Sequence, residues 1–303
     1  MKQKGEKRTF RGHACSLARI GPQSLALISS AAGLFLFSQC GGSRAGPGLR
    51  RAPCPTLEIV SPTDPVVAYN ALGGEFARLS EERRAYLTGV EREIIGSIPS
   101  GTRTLLDVGA GDGTRALRIA REASIQDVTL VEPAERMLTN PGSARVCRLR
   151  AEELGQMAPA FDVILCLWNV LGHIFPAQAR VAALREFGRL CAASGQIFVD
   201  VSNRYNFCHY GMRPTLARFT RDQFSWSETS GDTLTSWDTP SGRVSTRGHV
   251  FHDPEFRNLA RLAGLQIRKR KVVNYASGAT ETWAGRGHLL YTLASQVSRD
   301  YHQ

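Results

Sequence analysis

From Ala68 onward, apolar and polar positions alternate with clear periods, and the period switches repeatedly. Across Ala68–Ile95, Leu72, Phe76, Leu79, Ala85, Leu87 and Val90 fall between charges at helical spacing; this predicts a helix that can break at Gly73-Gly74. Short apolar runs then predict strands at Thr104–Val108, Val128–Glu132, Ala144–Leu149, Phe161–Leu167 and Gln196–Val201. Helical stretches separate them: Gly113–Arg121, a short turn of helix at Pro133–Leu138, and Pro176–Cys191 with Val181, Leu184 and Leu190 on one stripe. Strand–helix alternation of this kind predicts a mostly parallel sheet with helices on both faces.

The alternation stops after Val201. Residues 202–250 carry Trp226, Trp237, many Ser/Thr and the turn pairs Ser230-Gly231 and Ser241-Gly242. They predict antiparallel hairpins inserted as a small lid. A helix is expected over Pro254–Ala263, with Asp253 as N-cap, Pro254 at its first position and Gly264 ending it. Leu265–Val273 and His288–Ala294 complete a doubly wound, mostly parallel α/β sheet of seven strands.

Composition changes this picture mainly at the N-terminus. The chain has 303 residues and a net charge of +11, but residues 1–60 hold nine of its 38 Lys/Arg and two of its 27 Asp/Glu. Seven of the eleven net charges therefore sit on a leader, and a nucleic-acid partner is not expected for the folded part. Residues 20–43 carry no charge, yet serines interrupt the apolar run Leu25–Phe37, which suits a secretory signal better than a spanning helix. Phe37-Ser38-Gln39-Cys40 is a poor lipoprotein cleavage box. Residues 1–60 are thus expected to be a disordered or targeting-like extension, with a membrane anchor as the alternative. Residues 61–303 are expected to form the functional domain, in the cytoplasm. The seven cysteines form no CxxC pair and no zinc spacing, so no metal is expected and free thiols are. No feature of the sequence specifies an oligomeric state.

The chemistry concentrates in Leu105-Leu106-Asp107-Val108-Gly109-Ala110-Gly111-Asp112-Gly113-Thr114. An apolar strand ends in an acid, glycine takes every second place, and a helix begins. Such glycines let the backbone turn sharply and let a ligand lie against it, at a helix N-terminus. The dinucleotide fingerprint GxGxxG fails in both frames, at Thr114 and at Ala116, and no GKS or GKT follows to make a P-loop.

These residues resemble motif I of the Rossmann-like methyltransferases that use S-adenosyl-L-methionine (SAM). The likeness extends to Leu130-Val131-Glu132-Pro133, where the family places an acid that binds both ribose hydroxyls, and to Ala134-Glu135-Arg136-Met137-Leu138. Ala151-Glu152-Glu153-Leu154 is similar to the adenine-side loop, although Arg150 stands where the family often has an acid. The resemblance implies a SAM site formed by Asp107, Gly109, Ala110, Gly111, Gly113, Glu132, Pro133, Met137, Glu152 and Leu167.

On the acceptor side, Leu167-Trp168-Asn169-Val170-Leu171-Gly172-His173 is similar to small-amine enzymes of the glycine N-methyltransferase type, and the Asn/Asp-Pro-Pro-Tyr of nucleic-acid amino-methylating enzymes is missing. Asp200-Val201-Ser202-Asn203-Arg204-Tyr205 is similar to that group's Asp-x-Arg-Asn-Tyr, with Arg and Asn exchanged. The resemblance implies a small-molecule acceptor, with amines among the candidates. Asn169, Arg204 and Tyr205 would bind it, and His173 and Tyr205 would be the catalytic candidates. The rival classes are an enzyme acting on RNA or protein, for which Arg268-Lys269-Arg270-Lys271 is the only dense basic run, and a SAM-binding module without catalysis.

Overall fold

Leu105, Leu106 and Val108 are all buried, because the strand they form is covered on both faces. The computed structural model describes residues 64–158, 160–239 and 242–295; the leader 1–60 and the boundary at Ser61 lie outside the described residues. Strands β1 (Thr104–Val108), β2 (Asp127–Val131), β3 (Arg145–Cys147), β4 (Phe161–Cys166) and β5 (Cys191–Val201) are parallel neighbours in the order β3-β2-β1-β4-β5. After the hairpin β6 (Asp232–Thr239) and β7 (Gly242–His249), three strands extend the sheet: β8 (Leu265–Val273), β9 (Thr280–Glu281) and β10 (His288–Ser295). β10 inserts antiparallel between β5 and β8, and β9 lies at the edge beyond β8. All seven expected strands are present, and β9 adds an eighth that is too short to leave a periodic signal.

Alternate side chains of one strand serve two cores. Leu106, Ile164, Cys166, Ile197 and Val199 pack with the helix α5 (Ala177–Leu190) on one face. Leu105, Leu130, Val163, Leu165 and Phe198 pack with α3 (Arg84–Ile95) and α4 (Thr114–Glu122) on the other. Strand order reverses between β1 and β4, the place where open α/β sheets open a crevice at their carboxyl ends.

Several local expectations are corrected. The helix expected over Ala68–Ile95 is three pieces, α1 (Pro65–Leu72), α2 (Phe76–Glu81) and α3, with the first break at Gly73-Gly74. Pro133–Leu138 is a turn, because its amides are taken singly: Met137 N–H bonds Ala134 O, and Arg136 N–H bonds the Asn70 side chain. The insertion is not all hairpin. Its first half is helical, α6 (Phe207–Tyr210) and α7 (Met212–Ser225), and only β6–β7 forms a hairpin. Gly211 at φ 85° allows the sharp entry into α7, and Pro214 is tolerated because it lies in the first helical turn. The helix α8 (Asp253–Leu262) is capped by His252, one residue before the expected Asp253. Cys147, Cys166, Cys191 and Cys208 are free thiols. Among the described residues no helix is long and apolar enough to cross a membrane.

Candidate active site

The loop after β1 is bent by glycines at φ 74° (Gly109), 61° (Gly111) and 83° (Gly113). A Cβ at Gly109 would overlap the Val170 side chain, and one at Gly111 would press on the Phe76 ring at 3.2 Å. The amides of Gly109 and Ala110 both bond Val131 O at 2.8 and 3.1 Å, which fastens the loop to the end of β2.

Glu132 follows that strand end. Its carboxylate accepts the Gly111 amide at 2.9 Å and the Ala134 amide at 2.9 Å. Burial nevertheless outweighs these two bonds and pushes the acid up to about 7. Asp107 is fully buried, and neither of its carboxylate oxygens has a hydrogen-bond partner among the described residues. Burial raises its pKa to about 6, against the opposing pull of Arg115. An orphaned buried carboxylate calls for a donor or a cation beside it. Met137 and Leu167 are buried walls of this region, and Pro133 is half-buried beside Glu132. Glu152 sits apart: it projects, exposed, from the 3-10 turn Ala151–Gln156. The residues present therefore fit SAM: a glycine cradle, an acid with two oxygens for two hydroxyls, and an unpartnered carboxylate for a positive charge.

The acceptor side is held by side chains. Trp168 and Asn169 leave β4 in the left-handed region, at φ 61° and 58°. Asn169 is spent on scaffolding: its amide nitrogen donates to His249 O at 3.0 Å, its oxygen accepts the Ser202 amide at 3.0 Å, and its backbone N–H bonds Asp200 at 3.2 Å. Asp200, buried at the end of β5, also accepts from Tyr86 at 2.7 Å. His173 lies 2.9 Å from the Tyr69 hydroxyl through Nε2 and 2.9 Å from Arg247 O through Nδ1. A carbonyl can only accept, so the ring proton is on Nδ1, and Nε2 accepts the Tyr69 O–H. Burial holds His173 below its ordinary pKa, hence neutral.

Arg204 departs most from expectation. The residue is 3% exposed and its guanidinium grips Asp222 with two bonds of 2.6 and 2.9 Å, while the Tyr205 hydroxyl donates to the same carboxylate at 2.8 Å. The fork expected to receive a substrate anion is already occupied by the lid. Tyr205 and Asp222 border a cavity of about 440 Å³ under α7, whose lining contains no glycine-loop residue. Asn169 and His173 thus stand near the crevice, whereas Arg204 and Tyr205 turn away from it.

Sequence reasoning missed Tyr69, Arg83 and the aromatic group formed by Tyr86, His209, Tyr275 and His288, whose rings lie 4.6–5.5 Å apart. One signal was available. Asp200 ends an apolar strand just as Asp107 does, which marks a second buried carboxylate at the sheet's carboxyl edge.

Residues 106–197 match the model of a methyltransferase domain family. No curated protein sequence matches the chain. Among solved structures, the CcbJ methyltransferase from Streptomyces caelestis is 13% identical with a TM-score of 0.53, the match covering 68% of this chain and 89% of that one. A SAM-dependent methyltransferase from Thermotoga maritima, described as a possible histamine N-methyltransferase, is 18% identical with a TM-score of 0.51 over 76% and 99%. The 1,6-didemethyltoxoflavin-N1-methyltransferase of Burkholderia thailandensis, solved with its substrate and S-adenosylhomocysteine, is 18% identical with a TM-score of 0.50 over 76% and 87%. The fold is that of the Rossmann-like methyltransferases. The chain carries a methyltransferase domain and is a SAM-dependent enzyme, with S-adenosylmethionine as its cofactor.

Proposed function

We propose that this SAM-dependent methyltransferase delivers its methyl group to a small-molecule acceptor, with an amine as the first candidate. The observation that carries this reading is the roof over the crevice. Tyr69 on α1 reaches His173 and packs its ring 5.7 Å from Trp237 of the hairpin, so α1 and the insertion meet across the strand ends. A roofed crevice suits a small molecule and is too narrow for a duplex. Two of the similar structures carry names of small-molecule enzymes, which supports the same direction.

Glu132 would hold the ribose hydroxyls of SAM, and the unpartnered Asp107 carboxylate would offset the donor's positive charge. The cofactor supplies a methyl group already activated on a sulfonium. When bound, it would leave the methyl carbon open to in-line attack by the acceptor's lone pair, the electron pair of the broken carbon–sulfur bond remaining on sulfur. The protein contributes alignment and exclusion of water. Both ring nitrogens of His173 are bonded, so it acts as a positioning residue that orients the Tyr69 hydroxyl, not as a base. A metabolite extract incubated with enzyme and SAM should yield small molecules heavier by one methylene, read by mass spectrometry. Methyl transfer from tritiated SAM to RNA alone, with no labelled small molecule, would overturn the acceptor assignment and leave the donor assignment standing.

A further inference from the structure

Arg83 and Arg218 have no carboxylate within ion-pair distance among the described residues; Asp222, one turn from Arg218 on α7, acts on it but is bonded to Arg204. Arg83, which precedes α3, lies 5.1 Å over the Trp168 ring at the exit of β4 and beside the Tyr275 hydroxyl. The acid next to it in sequence, Glu82, is committed to Arg78 at 2.9 Å. Arg218 on α7 stacks 4.4 Å over Tyr210 and makes one long bond, 3.5 Å, to Arg204 O. Both charges act on His209, whose ring lies 4.6 Å from those of Tyr210 and Tyr275. Desolvation, with the two charges added, holds its imidazole down at about 4, so it is neutral and adds no charge of its own. A half-buried arginine without an acid loses hydration and gains little in return from aromatic faces. Its planar fork matches a carboxylate.

The surroundings also select shape. Trp168 packs 5.0 Å from Phe76, and His209 lies 4.6 Å from both Tyr210 and Tyr275. Aromatic walls of this kind suit a flat ring.

We infer that Arg83, assisted by Arg218, forms an anion subsite, and that the acceptor is a ring-bearing carboxylate. This inference rests on the small-molecule reading and names its substrate class. The role expected of Arg204 thereby passes to Arg83, from the opposite wall of the crevice.

The test uses the full chain saturated with S-adenosylhomocysteine. Its binding, measured first by calorimetry, reports on the donor site. The 2-, 3- and 4-aminobenzoates are then titrated in parallel with the matching aminobenzamides, which share their shape but lack the charge. At least one acid should bind about tenfold or more tightly than its amide, the scale of one charge-assisted pair. Arg83→Gln should abolish that preference with an unchanged melting temperature. Arg218→Gln should reduce it, and the exposed control Arg213→Gln should leave it intact. Equal binding of acids and amides, or no binding by any acid to a protein that binds S-adenosylhomocysteine, overturns the subsite. So does a preference that survives Arg83→Gln. Failure of the small-molecule reading shows separately, as labelling of RNA alone.

Discussion

At the ends of β1 and β2 the backbone prepares the site: glycines at positive φ, amides of residues 109–111, and one acid that accepts an N–H from the glycine loop and another from the turn after β2. At the ends of β4 and β5 side chains do the work: Asn169 holds the His249 backbone carbonyl, His173 pairs with Tyr69, and Arg204 pairs with Asp222. A backbone site has few solutions, since only glycine fits certain turns. A side-chain site has many, since any fork can pair with any acid that the fold brings near. The donor half should therefore fail through binding and the acceptor half through stability or specificity.

The largest effect should come from Asp222→Ala. It leaves Arg204 buried and unpaired, which costs about 3–5 kcal/mol. Denaturant unfolding should show the loss, while S-adenosylhomocysteine affinity changes little. A stable variant would mean that Arg204 is free to turn into the crevice, and the contrast would break.

Glu132→Ala should come next, weakening SAM binding by about 1–3 kcal/mol, the cost of lost bonds to a charged group. Unliganded stability should change little, because burial already disfavours the carboxylate.

The pH response should separate Asp107 and Glu132 from Glu255 by sign. Asp107 and Glu132 are raised to about 6 and about 7, from ordinary values of 3.8 and 4.5. Their stability contribution is therefore fully present below about 4 and is lost progressively as pH rises from there to 6–7. SAM affinity should move the other way and strengthen over that window as both ionise, a rise that Asp107→Asn flattens. Glu255 anchors the hairpin base through His249 at 2.7 Å; burial, the largest single influence, pushes its pKa up, but its bonds to His249 and His252 together outweigh it and lower it to about 2. Its contribution is present above about 4.5 and lost as pH falls toward 2. Melting curves without donor, from pH 3 to pH 8, check both signs.

The smallest effect is Tyr69→Phe, which removes one hydroxyl bond to a neutral partner. It should cost about 1 kcal/mol in stability and lower turnover more than donor affinity. A larger loss in affinity than in turnover would place Tyr69 on the donor side.

The sheet was legible in the sequence because its strands are apolar on both faces and its helices carry stripes. The donor loop was legible because it depends on Asp107, the three glycines and Glu132 in fixed order. The helical half of the lid was not: Met212, Leu216, Phe219 and Phe224 are exposed, so α7 buries no apolar stripe that a period could reveal. The partners on the acceptor side were hidden for a different reason. Arg204 and Asp222 lie 18 positions apart, and Tyr69 and His173 lie 104 apart, so their pairing belongs to the tertiary fold.

The contrast between the halves is tested most directly by titrating S-adenosylhomocysteine into the wild type, Glu132→Ala and Arg204→Lys by calorimetry. Affinity should fall by about fivefold or more in Glu132→Ala and stay unchanged in Arg204→Lys. Wild-type affinity in Glu132→Ala, or a comparable loss in Arg204→Lys, would contradict it.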